Sequence, residues 1–558
     1  MNRPTLSFAL ALASIAASTP AWVGALDPDR GHGSAAPALA APTAGPAAEP
    51  DELELFRGRM LLAGQGALSD AARTAFVDLA GGGSAHIAVI SNAKASGKSD
   101  GDAVDWVATG AREQTWLQVN RASDLTDSDT LTTLLAADGI WLDSVPDKLL
   151  GEPLLRAVLV NALERDAAIG ASGAVAHVLT GVPGVDTDRL CLAPRIELVF
   201  GVKDVGDTGP HHRHAKANPA RIAVALADGA AVALFAERYV ACLGPDQVGF
   251  AIYRESGALV DEQVFAGDDE RDLGDPLDDR LDLVSWIRQA RDAERPVHPP
   301  ERPGAPVIEK GALIVQGGGG VSDATWERYI ALAGGTDARF VCIPSANAME
   351  DDAAPDSYSA RELEERGCTN IRIAHVARRE RANHDIQLLA ALDGADAIWI
   401  DGGRTFRFMD RFGETRAAEA IARVLERDGV VGGSSAGCQV VGDFLLRGDP
   451  RSNTEMTFEG YTRGMGLLQG VVLDAHFVER GRHAQLRQQV SEHPQLLGLG
   501  VDAGTALLVQ GSVGEVLGEG DGVVVYDARR GAELSESGLL LRSGARFDLV
   551  QGTVLEGR

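Results

Sequence analysis

A serine set between small residues at the end of an apolar run is the strongest chemical signal in this chain. The stretch Val430-Val431-Gly432-Gly433-Ser434-Ser435-Ala436-Gly437 contains Gly433-x-Ser435-x-Gly437, the form of a nucleophile elbow. In such an elbow a buried strand ends in a sharp turn and a helix follows. Small neighbours let the serine take a strained backbone with its hydroxyl exposed. The helix, expected over Cys438–Leu446, would aim its first amides at an oxyanion. The string alone is weakly specific in a chain with 65 glycines, so the apolar segments on either side of it matter.

Two further apolar runs end on groups that could complete the chemistry. Ala397–Ile400 leads into Asp401-Gly402-Gly403, where two glycines would let backbone amides approach a substrate carbonyl. A plain tight turn is the alternative reading there. Val471–Leu473 leads into Asp474-Ala475-His476-Phe477, whose histidine could accept the Ser435 proton as a general base. A lone histidine is otherwise structural or solvated. In a doubly wound sheet the carboxyl ends of strands are where such groups gather.

The elements needed to position these groups are legible in the second half of the chain. Strands are expected at Ala312–Gln316, Arg339–Ile343, Ile371–His375, Ala397–Ile400, Gly429–Gly432 and Val471–Leu473, with helices such as Trp326–Ala333 and Thr415–Glu426 between them. Apolar strands without polar alternation point to a mostly parallel sheet covered on both faces, hence an α/β fold. Past Gly500 the runs shorten to Thr505–Gln510 and Val523–Tyr526, which reads as an extension of the sheet.

The first half repeats this pattern. Gly58-Arg59-Met60-Leu61-Leu62-Ala63-Gly64 lines up with Gly311-Ala312-Leu313-Ile314-Val315-Gln316-Gly317, and Gly139-Ile140-Trp141-Leu142-Asp143 with Ala397-Ile398-Trp399-Ile400-Asp401. Leu163-Glu164-Arg165-Asp166 matches Leu425-Glu426-Arg427-Asp428. A spacing of a whole domain reads as tandem duplication, with domains at 53–290 and 309–558 and a Pro-rich linker at 291–308. Gly173 falls opposite Ser435, so the first copy lacks the nucleophile and reads as a scaffold or binding domain. Trp141 and Trp399 occupy matching strand positions and read as core.

Composition narrows the function further. A net charge of −28 argues against nucleic-acid binding. The five cysteines, Cys191, Cys242, Cys342, Cys368 and Cys438, are scattered, which disfavours a zinc site or a disulfide framework. His211-His212-Arg213-His214 lies in a polar stretch without a fixed carboxylate partner and reads as a solvated loop, so no metal is expected. The run Gly317–Gly320 lacks a following Gly-Lys-Ser/Thr and reads as a strand-ending turn. No cofactor is expected. Met1-Asn2-Arg3, the apolar Leu6–Ala17 and the small residues Val23-Gly24-Ala25 read as an export signal over 1–25, followed by an Ala/Pro-rich tether at 26–52. The expected location is therefore secreted or periplasmic, without stable membrane insertion. An unprocessed tail or a single anchor is the alternative.

Four segments together resemble cyanophycinase and its relatives in the S51 serine peptidase family. They are the Gly433–Gly437 elbow, Gly464–Phe477, Arg480-Gly481-Arg482 and Gly498–Ala506, in an order and spacing that cover nearly all of 310–530. The resemblance implies tandem class I glutamine-amidotransferase-like (flavodoxin-like) three-layer αβα domains. It also implies a serine exopeptidase releasing β-Asp-Arg dipeptides from cyanophycin, a poly-aspartate bearing arginine on its side chains. By position, Ser435 would be the nucleophile, His476 the base, and the amides of Gly403 and Ala436 the oxyanion hole. Asp474, Arg480 and Arg482 would line the substrate pocket, with Thr405 beside them.

Several positions depart from the family pattern. Arg404-Thr405 stand where a glutamine is usual, Ala475 replaces another glutamine, and Gln485 replaces an arginine. Ala503 stands at the position of the triad glutamate, which leaves neighbouring Asp502 as the candidate acid and Glu455 as a remoter one. Two other readings therefore stand beside the first. One is an S51-type peptidase for other aspartyl or isoaspartyl peptides. The other is a non-catalytic binding protein with both copies degenerate. An internal pseudo-dimer of the two copies is a further expectation.

Overall fold

The computed structural model describes residues 58–556, apart from 93–103, 151, 181–189, 191, 194, 201–209, 219–220, 236–237, 245–246, 255, 267–280, 348–355 and 451. The expected signal, the first tether and Cys191 lie outside the described residues.

In the first half, β1 (Arg59–Ala63), β2 (His86–Ser91), β3 (Glu113–Gln118), β4 (Gly139–Leu142) and β5 (Ala168–Ser172) are joined by helical crossovers. After them come β6 (Ile196–Phe200), β7 (Ile222–Leu226), β8 (Ala231–Phe235), β9 (Tyr239–Leu243), β10 (Gln247–Tyr253), β11 (Leu259–Ala266) and β12 (Leu281–Asp282). The second half opens with β13 (Ile308–Gln316), β14 (Phe340–Ile343), β15 (Ile371–Ile373), β16 (Ala397–Ile400) and β17 (Val430–Ser434). It continues with β18 (Gly442–Phe444), β19 (Leu468–Asp474), β20 (Leu497–Val501), β21 (Thr505–Gly511) and β22 (Val513–Gly518). The last strands are β23 (Val523–Asp527), β24 (Leu539–Leu541), β25 (Arg546–Asp548) and β26 (Thr553–Glu556).

The large sheets of the two halves follow the same order over seven strands. The large sheet of the first half runs β3-β2-β4-β5-β1-β8-β9-β12, and that of the second runs β15-β14-β16-β17-β13-β21-β22-β25-β26. In both, the first five strands of that order are mutually parallel and the next two are antiparallel. Each half also has a smaller sheet, β6-β7-β10-β11 and β18-β19-β20-β23-β24. Helices cover the sheets, giving a mixed α/β fold with mostly parallel sheets.

The apolar strand runs explain this layering, because strands covered on both faces have no polar side to show. Trp141 and Trp399 are buried, each against a matching aromatic partner: Trp141 beside Phe76 at 5.0 Å, Trp399 beside Tyr329 at 5.1 Å.

Two expectations need correction. The segment expected as one helix over Cys438–Leu446 is a short helix, Ala436–Val440, followed by strand β18. Its apolar residues satisfy either period, and parallel pairing with β19 decides. The strands ending at Leu473 and Tyr526 belong to the smaller sheet and are not extensions of the large one. The segment after helix Leu283–Asp292 has no regular structure until β13, yet it is bound to the second half: Arg463 donates to the Pro296 carbonyl at 2.6 Å.

Candidate active site

Strand β17 sits between β16 and β13 in parallel register, and Ser435 is the first residue beyond it. Ser435 has φ 55° and ψ −112°, caps helix Ala436–Val440, and is half-buried. A non-glycine residue in this region costs about 1–3 kcal/mol, tolerated only where the surroundings impose it. Here they do. A Cβ on Gly433 would stand 2.4 Å from the Gly437 carbonyl, so the turn closes only over small residues. The aligned Gly173 has φ 54°, so the first half keeps the elbow's shape without its hydroxyl.

The hydroxyl of Ser435 lies 3.0 Å from Nε2 of His476. His476 follows β19, has φ 49°, and is fixed by its amide, which donates to the Gly317 carbonyl at 2.6 Å. The glycine run after β13 is more than a turn, because the imidazole rests on it. A Cβ on Gly318, whose φ is 104°, would come within 2.1 Å of His476 Nε2. Buried Gln316 shapes this loop: its Oε1 accepts from the Gly318 amide at 2.9 Å and from the Ser434 hydroxyl at 2.6 Å.

The carboxylate against the imidazole is not the expected one. The second ring nitrogen, Nδ1, is 2.7 Å from Oε2 of Glu479, three residues after the histidine. This bond, first among the causes, holds the Glu479 carboxyl below the usual glutamate range. The buried Asp502 carboxylate instead accepts from the amides of Val478 and Glu479, at 2.8 and 2.9 Å. It braces the turn that carries Glu479, a residue that no motif in the sequence marks. Glu455 is exposed.

Gly402 borders Ser435, a Cβ there standing 3.2 Å from the serine Cβ. Among the described residues, neither the Gly403 nor the Ala436 amide donates a backbone hydrogen bond.

The expected pocket residues divide sharply. Asp474 is fully buried and sealed by arginines: Nε and Nη2 of Arg447 reach its two oxygens at 2.9 Å each, and Nη1 of Arg482 donates at 2.8 Å. Its two oxygens are taken up by these guanidinium groups, and none of its surface is exposed. Arg482 is buried with it, and burial, its largest influence, pushes its guanidinium pKa down. Thr405 is also buried, donating to the Arg447 carbonyl at 2.7 Å. Arg480 is exposed. Arg447, missed in the sequence, also donates to Gln485 at 2.9 Å, so the glutamine has become its partner. Arg404, in place of a glutamine, donates to the carbonyls of Asp449 and Ser452 at 2.5 and 2.8 Å.

The histidine-rich stretch is a helix, Pro210–Ala217, and not a solvated loop; His212 is buried between Tyr253 and Glu262 at 2.8 Å each. Among the described residues no group of side chains forms a metal site, and Cys342, Cys368 and Cys438 are buried free thiols. No helix among them is long and apolar enough to cross a membrane.

An elbow serine bonded to an imidazole that is oriented by a carboxylate, at the strand ends of an α/β sheet, defines a serine-type peptidase. The family model for peptidase family S51 matches residues 313–517. A cyanophycinase of Geminocystis herdmanii is 30% identical over 202 residues, covering 36% of this chain and 73% of that protein. One from Trichormus variabilis is 28% identical over 272 residues, covering 45% of this chain and 89% of that protein. A solved peptidase from an acI-B1 Actinobacterium superposes with TM-score 0.33 at 19% identity, covering 43% of this chain and 97% of that one. The chain belongs to peptidase family S51, and its substrate is a peptide.

Proposed function

We propose that the second half of the chain is a serine exopeptidase that hydrolyses cyanophycin to β-Asp-Arg dipeptides. The observation that carries the catalytic reading is the 3.0 Å contact of the strained Ser435 hydroxyl with His476. His476 Nε2 takes the hydroxyl proton as Oγ attacks the scissile carbonyl carbon. Glu479 holds Nδ1–H and stabilises the imidazolium. The amides of Gly403 and Ala436 receive the developing oxyanion. Protonation of the leaving amine by His476 gives an acyl-enzyme, and water activated by the same imidazole releases Ser435. No metal or cofactor is needed for this sequence of steps.

Support for the substrate is the cyanophycinase relatives. A second reading, cleavage of other aspartyl or isoaspartyl peptides, is favoured by the sealing of Asp474 between Arg447 and Arg482, which removes a carboxylate from the pocket. The test is incubation of the full-length protein with cyanophycin and with an aspartyl dipeptide panel, beside Ser435→Ala, following products by mass spectrometry. β-Asp-Arg from the wild type alone supports the first reading; dipeptide cleavage without it supports the second. Labelling by a fluorophosphonate that survives Ser435→Ala would exclude both. We further propose that the chain is exported and that its first half is a copy of the same domain that has lost catalysis, supported by the N-terminal pattern and by Gly173 at the elbow.

A further inference from the structure

The turn Gly402-Gly403 leads directly into helix Thr405–Arg411, so the placing of that helix sets where the Gly403 amide points. The N-terminal end of the helix is tied within the second half, through the Arg404 and Thr405 bonds already described. Its other end is tied on both sides: Arg411 donates to the Ser345 and Asn347 carbonyls at 2.7 and 3.0 Å within the second half, and Asp410 reaches the first half. Asp410 Oδ2 accepts from Nη1 of Arg238 at 2.5 Å, and its Oδ1 lies 3.6 Å from Nη1 of Arg288. Both arginines belong to the first half. The remaining partner is the Tyr461 hydroxyl, which donates to Asp410 at 2.7 Å.

This contact is built into the first half. Arg238 immediately precedes β9 and also donates to Asp282, through Nη2 at 2.8 Å and Nε at 3.1 Å. Asp282 in turn caps helix Leu283–Asp292, accepting from the Ser285 amide. Arg288 lies on that helix and donates to the Gly460 carbonyl at 2.9 Å. The Arg238 guanidinium also stands 5.1 Å from the ring of Phe406, on the same helix as Asp410. Arg238, Asp282 and Asp410 are each about nine-tenths buried, at 10, 9 and 12% exposure. A buried carboxylate whose cations come from another domain is strongly penalised if that domain shifts. The helix is therefore registered against the first half, a job that a scaffold lacking a nucleophile can still perform.

We propose that the first half is a positioning partner for the active site, in which Arg238 and Arg288 act through Asp410 on the helix behind the Gly402-Gly403 turn. The inference rests on the reading of Gly403 as an oxyanion donor. Arg238 is a positioning residue and touches no substrate. The test uses the full-length chain with Tyr461→Phe, Arg238→Lys and Arg238→Met. The rate constant for fluorophosphonate labelling of Ser435 is measured for each, with kcat and KM on the peptide that the wild type cleaves and a melting curve to establish folding.

The expected result is a graded loss at nearly unchanged KM: about tenfold or more in labelling rate and kcat for Arg238→Met, less for Arg238→Lys, least for Tyr461→Phe. If Arg238→Met fails to fold, the two milder variants still give the order. Folded variants that label at the wild-type rate, or that raise KM with kcat intact, overturn the proposal while leaving the catalytic reading in place. Wild-type protein that does not label at Ser435 overturns the catalytic reading and this inference with it.

Discussion

His476 and Glu479 stand three residues apart and meet through a 2.7 Å hydrogen bond across one turn. The turn is made for it. His476 takes a left-handed backbone, the Arg480 amide returns to the His476 carbonyl at 3.1 Å, and Asp502 accepts the amides of Val478 and Glu479 between them. The orienting carboxylate thus comes from the histidine's own turn, and the neighbouring strand supplies the carboxylate that shapes the turn.

Replacing Glu479 by Gln should lower kcat by roughly 10²–10⁴, the range for a triad whose histidine loses its orienting anion. Asp502→Asn should cost less, because it acts through backbone amides. Since the histidine bond depresses the Glu479 carboxyl, its pairing is present above the ordinary glutamate range and is lost as pH falls through the depressed value. The Glu479→Gln defect should be largest at neutral pH and shrink toward acid. A kcat–pH series on both proteins checks this, and equal kcat at pH 7 would return the acid role to another residue.

Gly318→Ala places a methyl where the imidazole lies, 2.1 Å from Nε2, on a backbone with φ 104°. The ring must move off Ser435 or the loop must open. We expect kcat to fall by about 10² or more while the protein remains folded, as judged by circular dichroism. A folded variant with wild-type kcat would show that the ring does not rest on this glycine during turnover.

Asp474→Ala should act on stability before it acts on binding. Removing this carboxylate leaves Arg447 and Arg482 buried without their common anion, a change that typically costs about 3–5 kcal/mol. The check is urea unfolding of wild type and variant. An unchanged midpoint together with a raised KM would place Asp474 in the substrate pocket after all.

The elbow, the histidine and the parallel strand runs were legible because each is a local pattern: apolar residues in a row, small residues around one hydroxyl, a polar group at a strand end. What was not legible depended on partners distant in sequence. Whether Asp474 faced a cleft turned on Arg447, 27 positions upstream, whose guanidinium closes over it. Thr405 was hidden by the Arg447 carbonyl, 42 positions away. Cys438–Leu446 was read as one helix because its apolar residues suit both periods, and only β19 settled the second part as strand. Glu479 was overlooked for another reason: its value lies in a left-handed residue at 476, which no hydropathy pattern announces.

The seam between the linker and the second half should also show itself in pH dependence. Glu414, with φ 58°, follows helix Thr405–Arg411 and is gripped by Arg291 at 2.6 Å and by Arg295. Burial alone would push its carboxyl up, but the bond from Arg295 and the charges of Arg291 and Arg295 outweigh burial and hold it at about 2, against an ordinary 4.5. A pKa depressed in the folded state means stability that is complete above the unfolded value and lost as pH falls through the folded one. The shift alone corresponds to about 3 kcal/mol. With 34% of the side chain exposed, solvent screening reduces this, and about 1–2 kcal/mol is the expected contribution. Glu414→Gln should therefore unfold at lower urea than wild type at pH 7. The gap between the two proteins should hold down to about pH 4.5 and close between there and pH 2. A gap that is absent at pH 7, or constant down to pH 2, would mean that the Glu414 charge does not anchor the linker to the second half.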